Sequence, residues 1–436
     1  MSIDTELAAI GRIGERLSLA SNSDLEALVD KLLPKLLLLS TQDTLKNDVV
    51  RIVLELLDRV KLLNIALPSV QLLNLVRPQN RPSCCNLSLE FIHITFTRQN
   101  YHKPEIISDA LVEALASFDD PFSETFSNLL NLMLNLVGTT LASLSHRSNI
   151  DNTKCMVGDW ILDLFFAQNG LARRGVGSIK AGLSDDRVDR LAIRNQVLRP
   201  EELKGFKLTI LNSLIQGSIP SSHLFVICCV GRCDNDEVIS TSSEVTLRKL
   251  RNTMSMTQDA AKEVILYSLA LCIGRKDALL DMDTKYDPFR FGYRSSIPAE
   301  VKVSLLRFLN KDMCQHFDSI SFQMTEMCLQ IIEDSKLDQE GLSGGNSPLV
   351  VVPNSLKSVT LSILLSLCNA LSDESLSSYC DRIMSLILKC LSPFRHFIDK
   401  NDQEAFTLRQ VCCVVQIIFD TIEPFPYLIL NRAVGI

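Results

Sequence analysis

Apolar residues recur along most of this chain at helical spacing. Leu25, Leu28, Val29, Leu32, Leu36 and Leu39 form one such stripe, with Asp24 placed to cap its start. Pro34 falls inside the stripe, and because the period resumes beyond it, it predicts a kink and not an end. A polar turn, Ser40-Thr41-Gln42-Asp43, leads to a second helix whose buried face is Val49, Ile52, Val53, Leu56, Leu57 and Val60. Val50 and Leu54 lie off that stripe, so this helix is expected to meet a second neighbour as well.

Further helices are expected over 84–98, 104–117, 123–137, 156–168, 201–215, 220–231, 240–251, 258–273, 298–315, 319–333, 354–371, 375–392 and 402–422. In the pair 298–315 and 319–333, Val301, Leu305, Leu306 and Leu309 are expected to face Ile320, Met324, Met327, Cys328 and Ile331. The pair 375–392 and 402–422 repeats this, with Ile383, Leu386, Ile387 and Leu391 and then Val411, Val414, Val415, Ile418 and Ile422. Short polar connections favour antiparallel neighbours. Helix-turn-helix units of about 40 residues, degenerate in sequence, have the period of HEAT and armadillo arrays. The fold expected is therefore all-α, an α-solenoid of helical hairpin repeats, one elongated array of roughly nine helix pairs.

Three stretches interrupt the period, and they divide the chain. The expected layout is N-terminal repeats over 1–169, an irregular connector over 170–186 and middle repeats over 187–276. A long loop over 277–297, the helix pair over 298–334, a Gly/Ser/Pro loop over 335–353 and C-terminal repeats over 354–436 follow. Val350-Val351-Val352 could make a short extended piece, not a sheet.

Composition sharpens this picture. The chain has 436 residues, 46% of them apolar and 22% charged, with one Trp and 17 Gly. Leu is roughly one residue in six. Such aliphatic content excludes a disordered or collagen-like chain. The net charge of −7 and the absence of a long Lys/Arg stripe argue against nucleic acid as a partner, since phosphate binding needs clustered cations. Mean hydropathy is slightly positive, +0.16. Yet the run Leu32 to Leu39 is broken by Pro34 and Lys35, and Leu224 to Val230 and Ile265 to Ile273 fall short of the about 20 residues a bilayer needs, so no membrane insertion is expected. The N-terminus lacks the basic region of a signal peptide, which leads to an expected location in cytoplasm and nucleus. The 14 cysteines, including Cys84-Cys85, Cys228-Cys229 and Cys412-Cys413, read as reduced core thiols.

Candidate chemistry is sparse. Gly341-Leu342-Ser343-Gly344-Gly345 satisfies the pattern of a nucleophile elbow, but that motif needs a strand before it, and Glu333 to Glu340 is polar and acidic. A serine hydrolase using Ser343 stands as the alternative from another class; its test is active-site labelling lost on Ser343→Ala. Gly177 to Gly182 has phosphate-loop spacing, with Arg173, Arg174 and Lys180 nearby, but Leu183-Ser184 replaces the Lys-Ser/Thr that reaches phosphate and magnesium. Cys228, Cys229 and Cys233 with His223 are the densest metal-ligand set; Cys229 and Cys233 share a helix face, but zinc needs four convergent ligands. Asn128, Asn131 and Asn135 form a polar stripe opposite Leu129, Leu132, Met133 and Leu136, read as a solvated face, with a peptide-binding ladder as the alternative. No catalytic, cofactor or metal residue is assigned, and the protein-binding residues are left open.

Several segments resemble the N-terminal region of the proteasome adaptor and scaffold family, the very large HEAT-repeat proteasome stabilisers. Leu28 to Ser40, with its central Pro34, looks like the family's first helix, Val49 to Lys61 like its partner, and Ile65-Ala66-Leu67-Pro68 like the segment that follows. Asp163-Leu164-Phe165-Phe166 and Arg199-Pro200-Glu201-Glu202-Leu203-Lys204-Gly205-Phe206-Lys207-Leu208 are similar to family signatures. The most specific likeness is Cys233 to Val245; Val301-Lys302-Val303, Ser358 to Ser362 and Pro424-Phe425-Pro426 continue it, while 251–297 and 335–353 depart. The resemblance implies a non-enzymatic scaffold, with no cofactor, that binds the 26S proteasome, bridges its core particle and regulatory cap, and links it to endosomal, secretory and motor components. It also implies that this chain is the N-terminal portion of a longer protein. A HEAT-type nuclear transport receptor is the alternative among binding proteins; it would need an acidic inner surface, to which a charge of −7 gives little support.

Overall fold

The structure is a computed structural model, and it describes residues 3–98, 103–167, 182–191, 199–254, 256–274, 287–294, 296–334 and 354–368, with scattered positions from 370 to 385. Among the described residues the architecture is all-α, and the only β pairing is an isolated bridge between Gln216 and Ile219. The chain divides into two compact units, one of Met1–Ser178 with Asp185–Pro220, the other of Ile179–Ser184 with Ser221–Ile436.

The first unit contains α1 (Ile3–Leu19), α2 (Asn22–Leu39), α3 (Lys46–Leu62), α4 (Ser69–Leu75), α5 (Pro82–Thr97), α6 (Pro104–Leu115), α7 (Glu124–Met133), α8 (Val137–Ser145), α9 (Asp151–Phe166), α10 (Asp185–Leu191) and α11 (Pro200–Ser213). Consecutive helices pair as hairpins: α2 with α3, α4 with α5, α6 with α7. Helices two apart also pack, α1 on α3, α2 on α4, α4 on α6, α5 on α7 and α6 on α8, with α8 then meeting α11. Hairpin contacts together with skip-one contacts define an α-solenoid, in which each repeat buries its apolar faces against its neighbours. The second unit repeats the pattern with α12 (Ser221–Gly231), α13 (Glu237–Thr253), α14 (Gln258–Ile273), α15 (Ala299–Phe308), α16 (Ser321–Asp334) and α17 (Asn354–Cys368). There α12, α14, α16 and α17 stack in turn, and α13 and α15 lie against α12.

Local chemistry sets the boundaries. Ser21, Ser123, Asp236 and Thr257 accept backbone N–H bonds at the starts of α2, α7, α13 and α14. Pro82, Pro104 and Pro200 open α5, α6 and α11, where a missing N–H costs nothing. Gly274 ends α14 in the left-handed region, its φ at 76°, with its N–H on the Ala270 carbonyl.

The stripe expected on α3 is the face the structure buries, Val49, Ile52, Val53, Leu56, Leu57 and Val60. The α2 stripe is shifted. Leu33 and Leu37 are buried with Leu25, Val29 and Leu36, whereas Leu28, Leu32 and Leu39 are half-exposed. Its N-cap is Ser21; Asp24 donates its N–H to that hydroxyl. The helix runs through Pro34, and Asp30, whose carbonyl loses its partner there, is exposed. Leu54 stays exposed; α1 meets α3 elsewhere, where Gly14 lies so close to Ile52 that a β-carbon would sit 3.0 Å from its Cδ1.

Among the described residues, four helices were not anticipated: α1, α4, α8 and α10. The stretch 123–137 breaks into α7, a 3-10 turn at Leu134–Leu136 and the start of α8. The residues named for the pair 298–315 and 319–333 are all buried, but they do not chiefly face one another. A π-helical turn at Leu309–Met313 and two 3-10 turns through Ile320 intervene. In consequence α15 packs on α12 and α17, and α16 on α14 and α17. Within 277–297, the described positions 287–294 hold turns only. The loop 335–353 and the helix expected over 402–422 lie outside the described residues; of the 375–392 stripe, Ile383 is described and is buried.

Stacking brings helix C-termini against other helices, and donors from those helices satisfy the last-turn carbonyls. Arg59 of α3 donates to the carbonyls of Leu17, at 2.5 Å, Ser18, at 3.1 Å, and Ala20 at the end of α1. Arg98, closing α5, donates to Val60 and Lys61 at 2.7 and 2.8 Å, and to Leu63, at the end of α3. Lys207 of α11 reaches the Phe165 carbonyl in the last turn of α9, at 3.3 Å. Ser304 of α15 does the same to Cys229 of α12, at 3.0 Å. A cation there also meets the negative end of the helix dipole. Arg59→Ala is therefore expected to cost about 1–3 kcal/mol, seen as a lower urea midpoint; an unchanged midpoint would show these caps to be idle.

Candidate functional site: buried polar clusters of the helical stacks

The clearest polar feature of the first unit is a buried ion cluster. Asp159 and Asp163 stand one turn apart on α9, so both carboxylates project from the same face. Arg187 and Arg190 of α10 answer them. Arg187 Nη1 lies 2.7 Å from Asp159 Oδ2 and 3.1 Å from both Asp163 oxygens; Arg190 Nη2 lies 3.0 Å from Asp159 Oδ2 and also bonds Asp163 Oδ2. All four residues are 4% exposed or less. The Phe122 ring lies over both guanidiniums, 4.9 Å from Arg190 and 6.0 Å from Arg187. Burial opposes the charge on Arg190, but the two carboxylates outweigh it and raise its pKa above the ordinary value. Even so, its Nε and Nη1 have no hydrogen-bond partner.

Buried charges in mutual contact are a structural lock: removing one partner leaves the others poorly compensated in a low-dielectric interior. Asp163→Ala is expected to lower unfolding free energy by about 3–5 kcal/mol, against a much smaller loss when all four charged side chains are replaced by apolar ones of similar volume. Equal losses from the two variants would contradict the lock.

In the second unit a proton-linked chain runs across α12 and α14. Glu263 Oε1 accepts from the Ser222 N–H at 3.1 Å and from its hydroxyl at 2.7 Å, placing an anion at the start of α12. His223 sits between the Ser222 hydroxyl and the Tyr267 phenol, 3.3 Å from each, and its ring packs 4.8 Å from that of Tyr267. The serine hydroxyl donates to Glu263, and His223 turns Nδ1 to the Ser222 oxygen and Nε2 to the Tyr267 oxygen. This Ser-His-Glu set is buried at the start of α12, where the Glu263 carboxylate caps the helix.

His223, Cys228, Cys229 and Cys233 do not converge. Cys228 and Cys229 are fully buried, and the Cys233 thiol turns to the carbonyls of Cys229 and Glu300. Among the described residues no three His, Cys, Asp or Glu side chains come together as a metal ion requires. Cys84, Cys85, Cys228, Cys229, Cys272 and Cys328 are free and buried. Burial pushes the Cys84 thiol up to about 11, and those of Cys228 and Cys272 up to about 12, against an ordinary 9.0. Above pH 9.0 the unfolded chain therefore gives up protons that the native fold retains. The contribution of these thiols is intact below that pH and is lost as pH rises towards 12. The urea midpoint should fall over this range, less steeply in Cys228→Ala with Cys272→Ala; identical slopes would contradict the assignment.

The asparagine stripe is not the solvated face expected. Asn135 is exposed and Asn128 half-buried, but Asn131 is only 8% exposed, with neither amide atom partnered. The reason is that α7 is covered by α5, α6 and α10 together. Of the phosphate-loop candidate, Gly177, Arg173, Arg174 and Lys180 lie outside the described residues, as does Ser343. Gly182 is a turn, its φ at 81°; its N–H donates to the Ser296 carbonyl, its own carbonyl accepts from Arg294, and Leu183 beside it is buried. Sequence reading passed over the ion cluster, although two acids one turn apart inside the apolar stretch Met156 to Phe166 are a signal that buried cations must follow. The Ser222–Glu263 cap joins residues 41 apart and has no comparable local signal.

Among the described residues, no helix is long and apolar enough to cross a membrane. No curated protein and no solved structure matches the chain. The family model described as proteasome component ECM29, N-terminal, matches residues 10–412, which take in the helices of both units, and the chain accordingly belongs to the ECM29 N-terminal family.

Proposed function

We propose that this chain is a non-enzymatic adaptor that binds the 26S proteasome, helping to hold core particle and regulatory cap together or to link the proteasome to other components, endosomal or motor proteins among them. The observation that carries this reading is the family match over residues 10–412. The stacks themselves support it: among the described residues, hairpin repeats packed on near neighbours offer extended helix faces, the kind of surface solenoids use for protein partners. The described polar clusters are buried between helices, as locks and caps of a scaffold are. Cytoplasm and nucleus, where proteasomes work, are the proposed locations.

The test is recovery of proteasomes by a tagged 1–436 chain from a lysate in which core and cap remain joined. Subunits of both particles should be retained, and more doubly assembled particles should survive dilution when the chain is present. A folded, soluble chain that retains neither particle would overturn the proposal.

A further inference from the structure

Helix α13 buries Ile239, Ser243, Thr246, Leu247 and Leu250, and α12 is its main neighbour. On its other side Val238, Thr241, Val245, Arg248 and Asn252 are exposed, and they recur at alternating steps of three and four, the spacing of a coiled-coil seam. Val238 is 53% and Val245 60% exposed, although both stand where such a seam takes its apolar residues. The charges along the seam are sorted by sign. Asp236 and Glu237 stand at its start, and Arg248, Lys249 and Arg251 at its end. Two more cations join that end, Arg232 just past α12 and Lys311 in the π-helical turn at Leu309–Met313. Arg232 Nε and Arg248 Nε share one carboxylate, Glu244, at 2.8 and 2.9 Å, and Arg251 Nη2 lies 2.8 Å from Asp312 Oδ1. Burial raises the pKa of Asp312, and Arg251, Lys311 and Arg232 work against that, so these cations surround one site. With Lys249 and Arg248 they outnumber Glu244 and Asp312, and they leave this end positive in a chain whose net charge is −7. The helix dipole accounts for cations on α13 itself, but not for Lys311, which a separate element brings.

We propose that the outward face of α13 docks an amphipathic helix of a partner protein, antiparallel to α13, with apolar residues at heptad spacing and acidic residues in its first turns. The apolar side chains cover Val238 and Val245, and the acids meet Arg248, Lys249 and Arg251. The antiparallel direction is favoured twice. It sets the partner's acids against the cations and away from Glu237, and it places them at the positive end of the partner's own helix dipole. A second copy of α13 fits less well. Paired antiparallel about the middle of the seam, it sets the two Glu244 carboxylates against each other at the twofold axis. This goes beyond the scaffold reading and does not depend on which assembly the chain joins.

The probe is a labelled, end-capped helical peptide of that design, with Leu at heptad spacing, Glu in its first two turns and Lys in its last. Its control carries Lys in place of each Glu. The full chain should bind the Glu peptide and not the control, and more weakly as salt rises. Val245→Glu combined with Lys249→Glu, both at exposed positions, should weaken binding at least roughly tenfold while the helical circular dichroism stays unchanged. Should that variant fold poorly, Lys249→Glu alone decides, with a smaller loss in the same direction. A folded chain that ignores the Glu peptide, takes both peptides alike, or binds undiminished after the substitutions overturns the proposal. Sedimentation of the chain without peptide covers the other occupant: a dimer that is lost on Val245→Glu assigns the face to a second copy and overturns the partner helix, whereas a monomer leaves the face open to it as proposed.

Discussion

A helix that ends against other helices has carbonyls in its last turn with no partner of their own, and the rest of this fold depends on how those carbonyls are supplied. In a stacked array many helix ends are covered by protein, so water cannot be relied on to complete them. Arg59 and Arg98 do this for α1 and α3, each reaching from the second helix onward, and Lys207 and Ser304 do it for α9 and α12. One side chain thereby fixes the axial position of one helix against another. Apolar burial is non-directional, and these directed bonds add a fixed axial register to it.

This division of labour explains what was legible in the sequence. The α3 face could be read residue by residue, because its pattern is long, regular and terminated by charges. On α2 the phase was misjudged: leucines fill Leu36 to Leu39, so periodicity alone does not say which of them points inward. The short helices α4 and α10 are set by what they dock on, and α1 carries small and polar residues such as Gly11 and Gly14 that blur its stripe. The facing partners of α15 were misassigned because a π-helical turn, which no hydrophobic period announces, redirects the chain before α16. Buried polarity was the least legible part. The ion cluster joins residues 24 to 31 apart, and the environment of Asn131 is set by three other helices.

The same physics bears on function. Near-neighbour packing builds long helix faces, and the Ser222, His223 and Glu263 set lies buried inside the stack. Ser222 is held as a donor to Glu263, and Cys228 and Cys229 are shut away from solvent. Membership of a family of proteasome components fits a chain of stacked helical hairpins. The ion cluster differs from the other locks, because it is the one built from a helix too short to persist unaided.

The central claim is that helix order is transmitted from neighbour to neighbour through side chains that complete the next helix end. Amide hydrogen exchange on Arg98→Ala tests it most directly. The account predicts faster exchange in the last turn of α3 and in the adjoining turns of α1 and α5, with α12, α14 and α16 unchanged. Uniformly faster exchange across both units, or none anywhere, would contradict it.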